Sequence, residues 1–310
     1  MSNSKKIKKF FYLLAVVALI VGIQQVIQLV NYVTIDDELE PIMFVDSENS
    51  EFMFYHFQKN KENKTISLQK NSRIDGRYYD LDRNKKEVLM QIYDYSDKEI
   101  WIVKFNYISG EIDKLFTYED LKGIQQGNIE ELHFIPNSND VSFIIDDVIG
   151  RWDYEKKQCI KIYTFNDSCF GKLGFAYKWK NNEEMYLVES DDLILYNINS
   201  KNKEIIIEDI GKVYFQMSGD NEYIIWQKQW GERREVMLMN IQTKEQKKIH
   251  LAKSNYKVRI YFSPNNEYIF LRDTHRDNQL GIRYWYLYDM KRNRKFSIDV
   301  DCPKAGIVGW

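Results

Sequence analysis

Apolar and polar residues alternate in runs of four to eight along most of this chain, and short clusters of Lys, Asn, Gly, Asp and Glu separate the runs. A period of two bounded by turn residues predicts half-buried antiparallel strands. The pattern also repeats. Residues 214–225 read YFQMSGDNEYII, and residues 261–270 read YFSPNNEYIF. Ser218 and Ser263, Glu222 and Glu267, and Tyr223 and Tyr268 superpose at one offset. Each copy is followed by a strand-like run that ends in a polar turn: VMLMNIQTKEQKKI from Val236 and YWYLYDMKRNRKFSI from Tyr284.

The unit continues towards the N-terminus. An aromatic-rich strand meets a polar turn at YDM (Tyr288), MNI (Met239), YNI (Tyr196), WDY (Trp152), FNY (Phe105) and HFQ (His56). The steps are roughly 43 to 49 residues apart, a period that with several strands per unit marks a β-propeller. Six steps predict an all-β, six-bladed propeller of four-stranded blades, over 36–70, 73–118, 129–167, 171–209, 211–251 and 256–300. The competing arrangement is an irregular β-sandwich with similar hairpins. Blade one has only three candidate strands, Ile42–Val45, Phe52–Phe57 and Thr65–Gln69. An inner edge left open would expose unpaired backbone groups. The apolar tail AGIVGW, from Ala305 to Trp310, is expected to supply the missing innermost strand.

A different period governs the N-terminus. Lys5, Lys6, Lys8 and Lys9 precede an uncharged run from Phe10 to Val30. As a helix rising about 1.5 Å per residue, that run spans about 31 Å, the thickness of a bilayer core. The expected organisation is a basic cytoplasmic tail (1–9), a transmembrane helix (10–30), a short linker (31–35) and an extracytoplasmic propeller (36–310), oriented by the lysines. The rival readings are a cleaved signal, which needs small residues at its end, and a buried helix. Gly22 is small but Ile20 is not, and the apolar run continues. No Cys follows the run, which closes the lipoprotein route.

Composition adds little to this. Aromatic residues make up 15% of the 310, and only 4 Pro occur. Three cysteines, Cys159, Cys169 and Cys302, leave at least one unpaired within the chain; all three are read as thiols, with a Cys159–Cys169 bridge as the alternative. Formal charge is −2, and removing the four leading lysines leaves −6 on the exported part. That balance opposes nucleic-acid binding through bulk charge.

Chemistry-bearing motifs are absent. His56, His133, His250 and His275 fall in different blades, without metal-pair spacing. There is no G-x-S-x-G elbow, phosphate loop or H-E-x-x-H. SGDNEYIIW from Ser218 resembles the sialidase aspartate box, but it has an extra residue and lacks the glycine, and is read as a structural turn. DLDRNKKEVLMQ from Asp80 has calcium-loop oxygens at its first positions, but Lys85 and Gln91 stand where that geometry needs glycine and glutamate. No catalytic residue, metal or cofactor is expected.

The turn YFSPNNEYIF resembles the F-S-P-D-G-x-x-I-x-F element of the Tol system's periplasmic propeller and of prolyl-oligopeptidase N-terminal propellers, both built from WD40-like repeats. QMSGDNEYII matches moderately, and FIPNSNDVSF from Phe134 poorly. Asn265 and Asn266 replace the usual Asp-Gly, a fair exchange where the turn needs left-handed backbone. The resemblance implies a binding propeller without the separate hydrolase domain of those peptidases.

Loops joining the second and third strands of each blade open on the usual ligand face. Here they are DYSDKE from Asp94, DDVIG from Asp146, ESDD from Glu189, KQWGERRE from Lys228 and THRDNQLGI from Thr274. Three are acidic. The last two carry Trp230, Arg233, Arg234, His275 and Arg276, the candidate ligand-face residues, since Arg and Trp are enriched at binding hot spots. Both loops could equally be plain solvated turns. The expected function is a non-catalytic binding, scaffold or sensing module for a protein, peptide or cell-wall glycan. The alternative is a propeller hydrolase or lyase acting on glycans, which needs two carboxylates converging on the channel face.

Overall fold

Five residues set the rhythm of the chain. Asn106, Asp153, Asn197, Asn240 and Asp289 each end a strand, and each side-chain oxygen accepts backbone amides two or three residues further on, at 2.8 to 3.1 Å. Four residues after each stands one with positive φ: Gly110 (78°), Lys157 (50°), Lys201 (63°), Lys244 (59°) and Asn293 (53°). This self-capping turn joins the third strand of a blade to the fourth. It is the physical content of the FNY, WDY, YNI, MNI and YDM steps.

The computed structural model describes residues 41–46, 49–55, 65–68, 71–74, 79–121, 123–124, 127–165, 177–211, 214–230, 233–252, 258–277, 280–298 and 306–309. The expected tail, membrane helix and linker (1–35) lie outside them, as do His56, Cys169 and Cys302. Among the described residues no helix is long and apolar enough to cross a membrane.

The strands form six sheets. Blade 1 holds β1 (Ile42–Asp46), β2 (Glu51–Tyr55) and β3 (Thr65–Ser67). Blade 2 holds β4 (Ser72–Ile74), β5 (Asp80–Asp82), β6 (Glu87–Asp94), β7 (Glu99–Asn106) and β8 (Ile112–Thr117). Blade 3 holds β9 (Ile129–Phe134), β10 (Val141–Ile145), β11 (Val148–Asp153) and β12 (Gln158–Thr164). Blade 4 holds β13 (Tyr177–Trp179), β14 (Glu184–Glu189), β15 (Asp192–Asn197) and β16 (Lys203–Ile207). Blade 5 holds β17 (Phe215–Met217), β18 (Tyr223–Trp230), β19 (Arg233–Asn240) and β20 (Gln246–Leu251). Blade 6 holds β21 (Arg259–Phe262), β22 (Tyr268–Asp277), β23 (Leu280–Asp289) and β24 (Arg294–Ile298).

The last strand, β25 (Gly306–Gly309), belongs to blade 1. It pairs antiparallel with β1, Val45 opposite Gly306 and Phe44 opposite Ile307, giving the order β25-β1-β2-β3. The tail expectation holds: the two ends of the propeller share one sheet. Blade 2 departs from the four-strand scheme. Its inner strand is in two pieces, both paired to β6, and the ladder jumps from Ile74↔Ile92 to Asp80↔Leu89.

Apolar side chains fill the spaces between blades. Phe52 of blade 1 stacks on Phe105 of blade 2 with ring centroids 5.3 Å apart. Phe116 of blade 2 meets Phe143 of blade 3 at 5.3 Å. Ile144, Ile149, Tyr177 and Leu187 join blades 3 and 4. Phe215 and Trp226 pack on Tyr186 and Leu195 between blades 4 and 5, and Val236 and Leu238 on Ile269 and Leu271 between blades 5 and 6. Phe44 closes the ring against Trp285, edge to face at 5.9 Å. Each fully buried side chain of this size contributes about 1.5–3 kcal/mol relative to exposure.

The repeated serine turn caps the first hairpin of blades 5 and 6. Ser218 Oγ accepts the Tyr223 amide and Ser263 Oγ the Tyr268 amide, both at 2.9 Å. Asn221 and Asn266 take positive φ, as the Asn-for-Gly exchange requires. The first-hairpin turns of several blades also latch neighbouring blades together. Asn266 Oδ1 accepts Gly219 N at 2.9 Å, Lys85 Nζ donates to Ser138 O at 2.6 Å, and Arg83 Nη2 donates to Pro41 O at 2.6 Å.

Candidate functional site

Two regions could meet a ligand: the hairpin tips on one face and the channel lined by the innermost strands. In an extended strand, alternate residues face opposite ways. The inner strands obey this. Ile260, Phe262, Tyr177, Trp179, Phe215 and Leu132 are buried between blades, while Arg259, Tyr261, Lys178, Gln216 and Glu131 keep contact with water.

The first hairpin of each blade sets a common level. Ser263–Tyr268, Ser218–Tyr223, Lys180–Glu184 and Ile135–Asp140 are the corresponding backbone-bonded pairs, and Asp82↔Glu87 is the equivalent in blade 2. Two residues before each stand Tyr261, Gln216, Lys178, His133 and Asp80. This tier of polar side chains from five blades therefore encircles the axis. Contacts between neighbouring blades agree with it. Lys178 Nζ lies 3.3 Å from His133 Nδ1, and Asp80 Oδ2 lies 3.6 Å from the same nitrogen. His133 Nε2 reaches Glu131 Oε2 at 3.2 Å. The ring stands edge-on to Tyr177 at 4.7 Å, above a buried cluster in which Tyr177 OH and Trp179 Nε1 both donate to Ser142 Oγ at 2.8 and 2.7 Å.

Asp80 shows the electrostatic character of the channel. Burial works to raise its carboxyl. The hydrogen bond and charge from His133, the charge of Lys178 and the Phe134 amide together outweigh burial and hold it below its ordinary value. Phe134 N donates to Asp80 Oδ2 at 2.8 Å. Protein surrounds the carboxylate, yet 29% of its side chain stays accessible. The calcium-loop oxygens of this segment are thus committed: Asp80 to blade 3, and Asp82 Oδ1 to the amide of Lys85 at 3.0 Å.

Two residues further up each strand lies a second tier containing Glu131, Tyr214 and Arg259. Gln216 Nε2 donates up to the Tyr214 hydroxyl. Burial first, and then the neighbouring Tyr261, push the Tyr214 phenol upward, so it stays protonated and able to donate. Arg259 bonds Tyr261 and feels Tyr214 and Tyr79, and these hold its guanidinium charged against the opposing effect of burial.

On the hairpin face the structure corrects the sequence reading. Trp230, Arg233, Arg234, His275 and Arg276 are not in loops. Trp230 pairs with Arg233, Gln229 with Arg234, His275 with Ile282 and Arg276 with Gly281, all within the β18–β19 and β22–β23 ladders. Backbone pairing needs no apolar side chains, so a polar stretch such as KQWGERRE can extend a ladder almost to its tip. Strands β22 and β23 have ten residues each, against six in β14 and β15. At about 3.4 Å per residue, blade 6 rises about 14 Å beyond blade 4 on this face. Blade 5 beside it has eight residues per strand, as does blade 2.

The acidic rim is less free than its sequence suggests. Lys114 Nζ sits 2.7 Å from Asp94 and also pairs with Asp97, and Lys203 Nζ sits 2.6 Å from Glu189. Each lysine comes from the outermost strand of the same blade, or its start, and neutralises the acidic turn locally.

The other sequence candidates are structural. His250 is buried between Asp273 (Nε2 to Oδ2, 3.1 Å) and Lys295 (Nδ1 to Nζ, 2.8 Å). Cys159 lies on the outer strand of blade 3, where burial, with Asp120, pushes its thiol up to about 12, far from a reactive thiolate. Sequence reasoning missed the channel tiers. Their signal was present in the alternations ELHF, YKW, YFQM and RIYF, each a polar residue between apolar ones directly before a turn.

No family model matches the chain, and no curated protein matches it in sequence. In structure it is similar to TolB from Acinetobacter baumannii, at a TM-score of 0.61 and 10% identity over 86% of this chain and 64% of that one. The chain therefore spans less than two thirds of that TolB structure. It is also similar to a chain of the nidogen/laminin complex, at a TM-score of 0.56 and 10% identity over 87% of this chain and 99% of the other. Hydrazine synthase of Kuenenia stuttgartiensis gives a TM-score of 0.50 and 12% identity over 73% and 66%. At such identities the likeness is one of fold: the chain is an all-β, six-bladed propeller similar in build to TolB.

Proposed function

We propose that this protein is a membrane-anchored binding propeller, held by residues 10–30 with its blades outside the cytoplasmic membrane, and that it engages a protein partner through the hairpin face of blades 5 and 6. The observation that carries this reading is the pair of tall adjacent hairpins, β18–β19 and β22–β23, whose ends hold Trp230, Arg233, Arg234, His275 and Arg276. A wall of that height gives a partner a rigid edge to dock against, and its composition suits an acidic patch on that partner. The likeness to propellers in TolB and in the nidogen/laminin complex agrees with a binding role and assigns no partner.

The test is the charge reversal Arg233→Glu with Arg234→Glu in the full-length protein. Complexes recovered after crosslinking in membranes should fall about tenfold or more, since hot-spot losses of 2 kcal/mol are common. The melting temperature should change little, because glutamate leaves the backbone ladder intact. Unchanged complexes refute the docking face, and a collapsed melting temperature assigns the two arginines a structural role.

One observation favours a second reading, a glycan hydrolase or lyase. Asp80 and Glu131 converge on opposite nitrogens of His133, inside the channel where such enzymes act. Asp80, however, is held in its ionised form, whereas a general acid needs its carboxyl raised. Binding therefore remains the favoured reading.

A further inference from the structure

Arg259 stands at the mouth of the channel, at the foot of the tallest hairpin. It pairs with Arg272 of β22, and that strand runs on to Asp277, five residues or about 17 Å above it. The residue is exposed to solvent although channel walls surround its guanidinium. Its hydrogen-bond partner is the Tyr261 phenol, and Tyr214 and Tyr79 are its other polar neighbours. None of these is a carboxylate. Among the described residues Arg259 has no carboxylate partner, while Glu131 is engaged by His133 at 3.2 Å, and Asp80 by the Phe134 amide at 2.8 Å with Lys178 close by. Among the described residues Arg259 is thus a cation held by phenols rather than by a carboxylate.

We propose that the channel mouth is a carboxylate-binding site, in which Arg259 pairs with the anion and Tyr214 and Tyr261 donate hydrogen bonds to it. A planar guanidinium matches a carboxylate in a two-point pairing, and neutral phenols add donors without adding charge. A monoanion fits better than phosphate. Glu131 also acts on Tyr214, so an anion held by that phenol meets a negative charge, and a monoanion meets less repulsion than a dianion does. The carboxylate could belong to a free peptide C-terminus or to an acidic sugar, and both present the same group. The site goes beyond the hairpin reading and does not depend on it.

Saturation-transfer NMR on the full-length protein in detergent tests this directly. The probes are N-acetyl-Ala-Ala against its C-terminal amide, and glucuronate against glucose. Saturation should pass to at least one carboxylate form and not to its neutral counterpart, and the member that binds identifies the source. Arg259→Gln should weaken that binding by about tenfold or more, as loss of a charged hydrogen-bond pair does. Tyr214→Phe keeps the ring and the packing and should weaken it by several-fold. Arg233→Glu with Arg234→Glu should leave it unchanged, which separates this site from the hairpin face. Equal transfer to carboxylate and neutral forms, transfer to none of the four, or full binding by a folded Arg259→Gln protein overturns the proposal.

Discussion

Val45, in the first described strand, sits opposite Gly306, in the last, across the β1–β25 ladder. The pairing joins the two ends of the propeller within one sheet. One residue from Val45, Phe44 reaches across the seam to Trp285 of blade 6. Hydrogen bonding on one side and aromatic packing on the other therefore close the ring at a single place.

Removing that closure should be costly. Deleting residues 304–310 strips β1 of its inner partner and leaves a row of unpaired backbone groups. The expected loss is several kcal/mol, about 3 or more, with a visible drop in melting temperature and a rise in aggregation. A melting curve unchanged by the deletion would mean that β25 contributes nothing to the ring.

A single methyl group should destabilise blade 3. A Cβ placed on Gly150 would lie 2.4 Å from the ring of Phe143, which is itself fully buried. The Phe143 ring is fully buried and can yield only by displacing its neighbours, so Gly150→Ala should cost about 1–3 kcal/mol. Thermal unfolding of the variant checks this, and Phe143→Leu in the same background should recover part of the loss by making space.

Acid should act through Asp80. Its carboxyl is held below the ordinary value of 3.8 in the folded protein. The ionised carboxylate is thus favoured by folding, and its stabilisation is fully present above the unfolded value. It is lost as pH falls below about 4 and through the lowered folded value. Asp80→Asn should be less stable than the parent at neutral pH, and the two melting curves should converge as pH drops. A gap that stays constant to low pH would show that charge on Asp80 contributes nothing.

The membrane expectation has its own test. The mature protein should retain residues 10–30, with the lysines inside and the propeller open to protease on spheroplasts. A mature N-terminus near residue 23 would replace the anchor by a cleaved signal.

Much of this fold was readable in the chain because its signals are local. The Asx residue at each aromatic–polar step and the left-handed residue four positions later lie within one turn, and they recur in five blades. The tail strand could be inferred because a ring with one edge open is energetically untenable. The channel was not read. Asp80, His133, Lys178, Gln216 and Tyr261 are each about one blade apart in sequence, where spacing rules for catalytic or metal motifs do not look, and only closure of the ring brings them together. His133 looked solitary for that reason. The hairpins of blades 5 and 6 were read as loops because Lys228, Arg233, Arg234 and Asn278 are polar, whereas a projecting ladder is held by its backbone.

The docking claim is tested most directly by photo-crosslinking in intact cells. A photoreactive residue is placed at Trp230 or Arg276 on the hairpin face, and at Asn221 or Asn266 on the opposite, turn-bearing face. A partner docked on the hairpins should give one shared adduct from the first two positions and none from the other two. The same adduct from both faces, or one confined to Asn221 and Asn266, would contradict it.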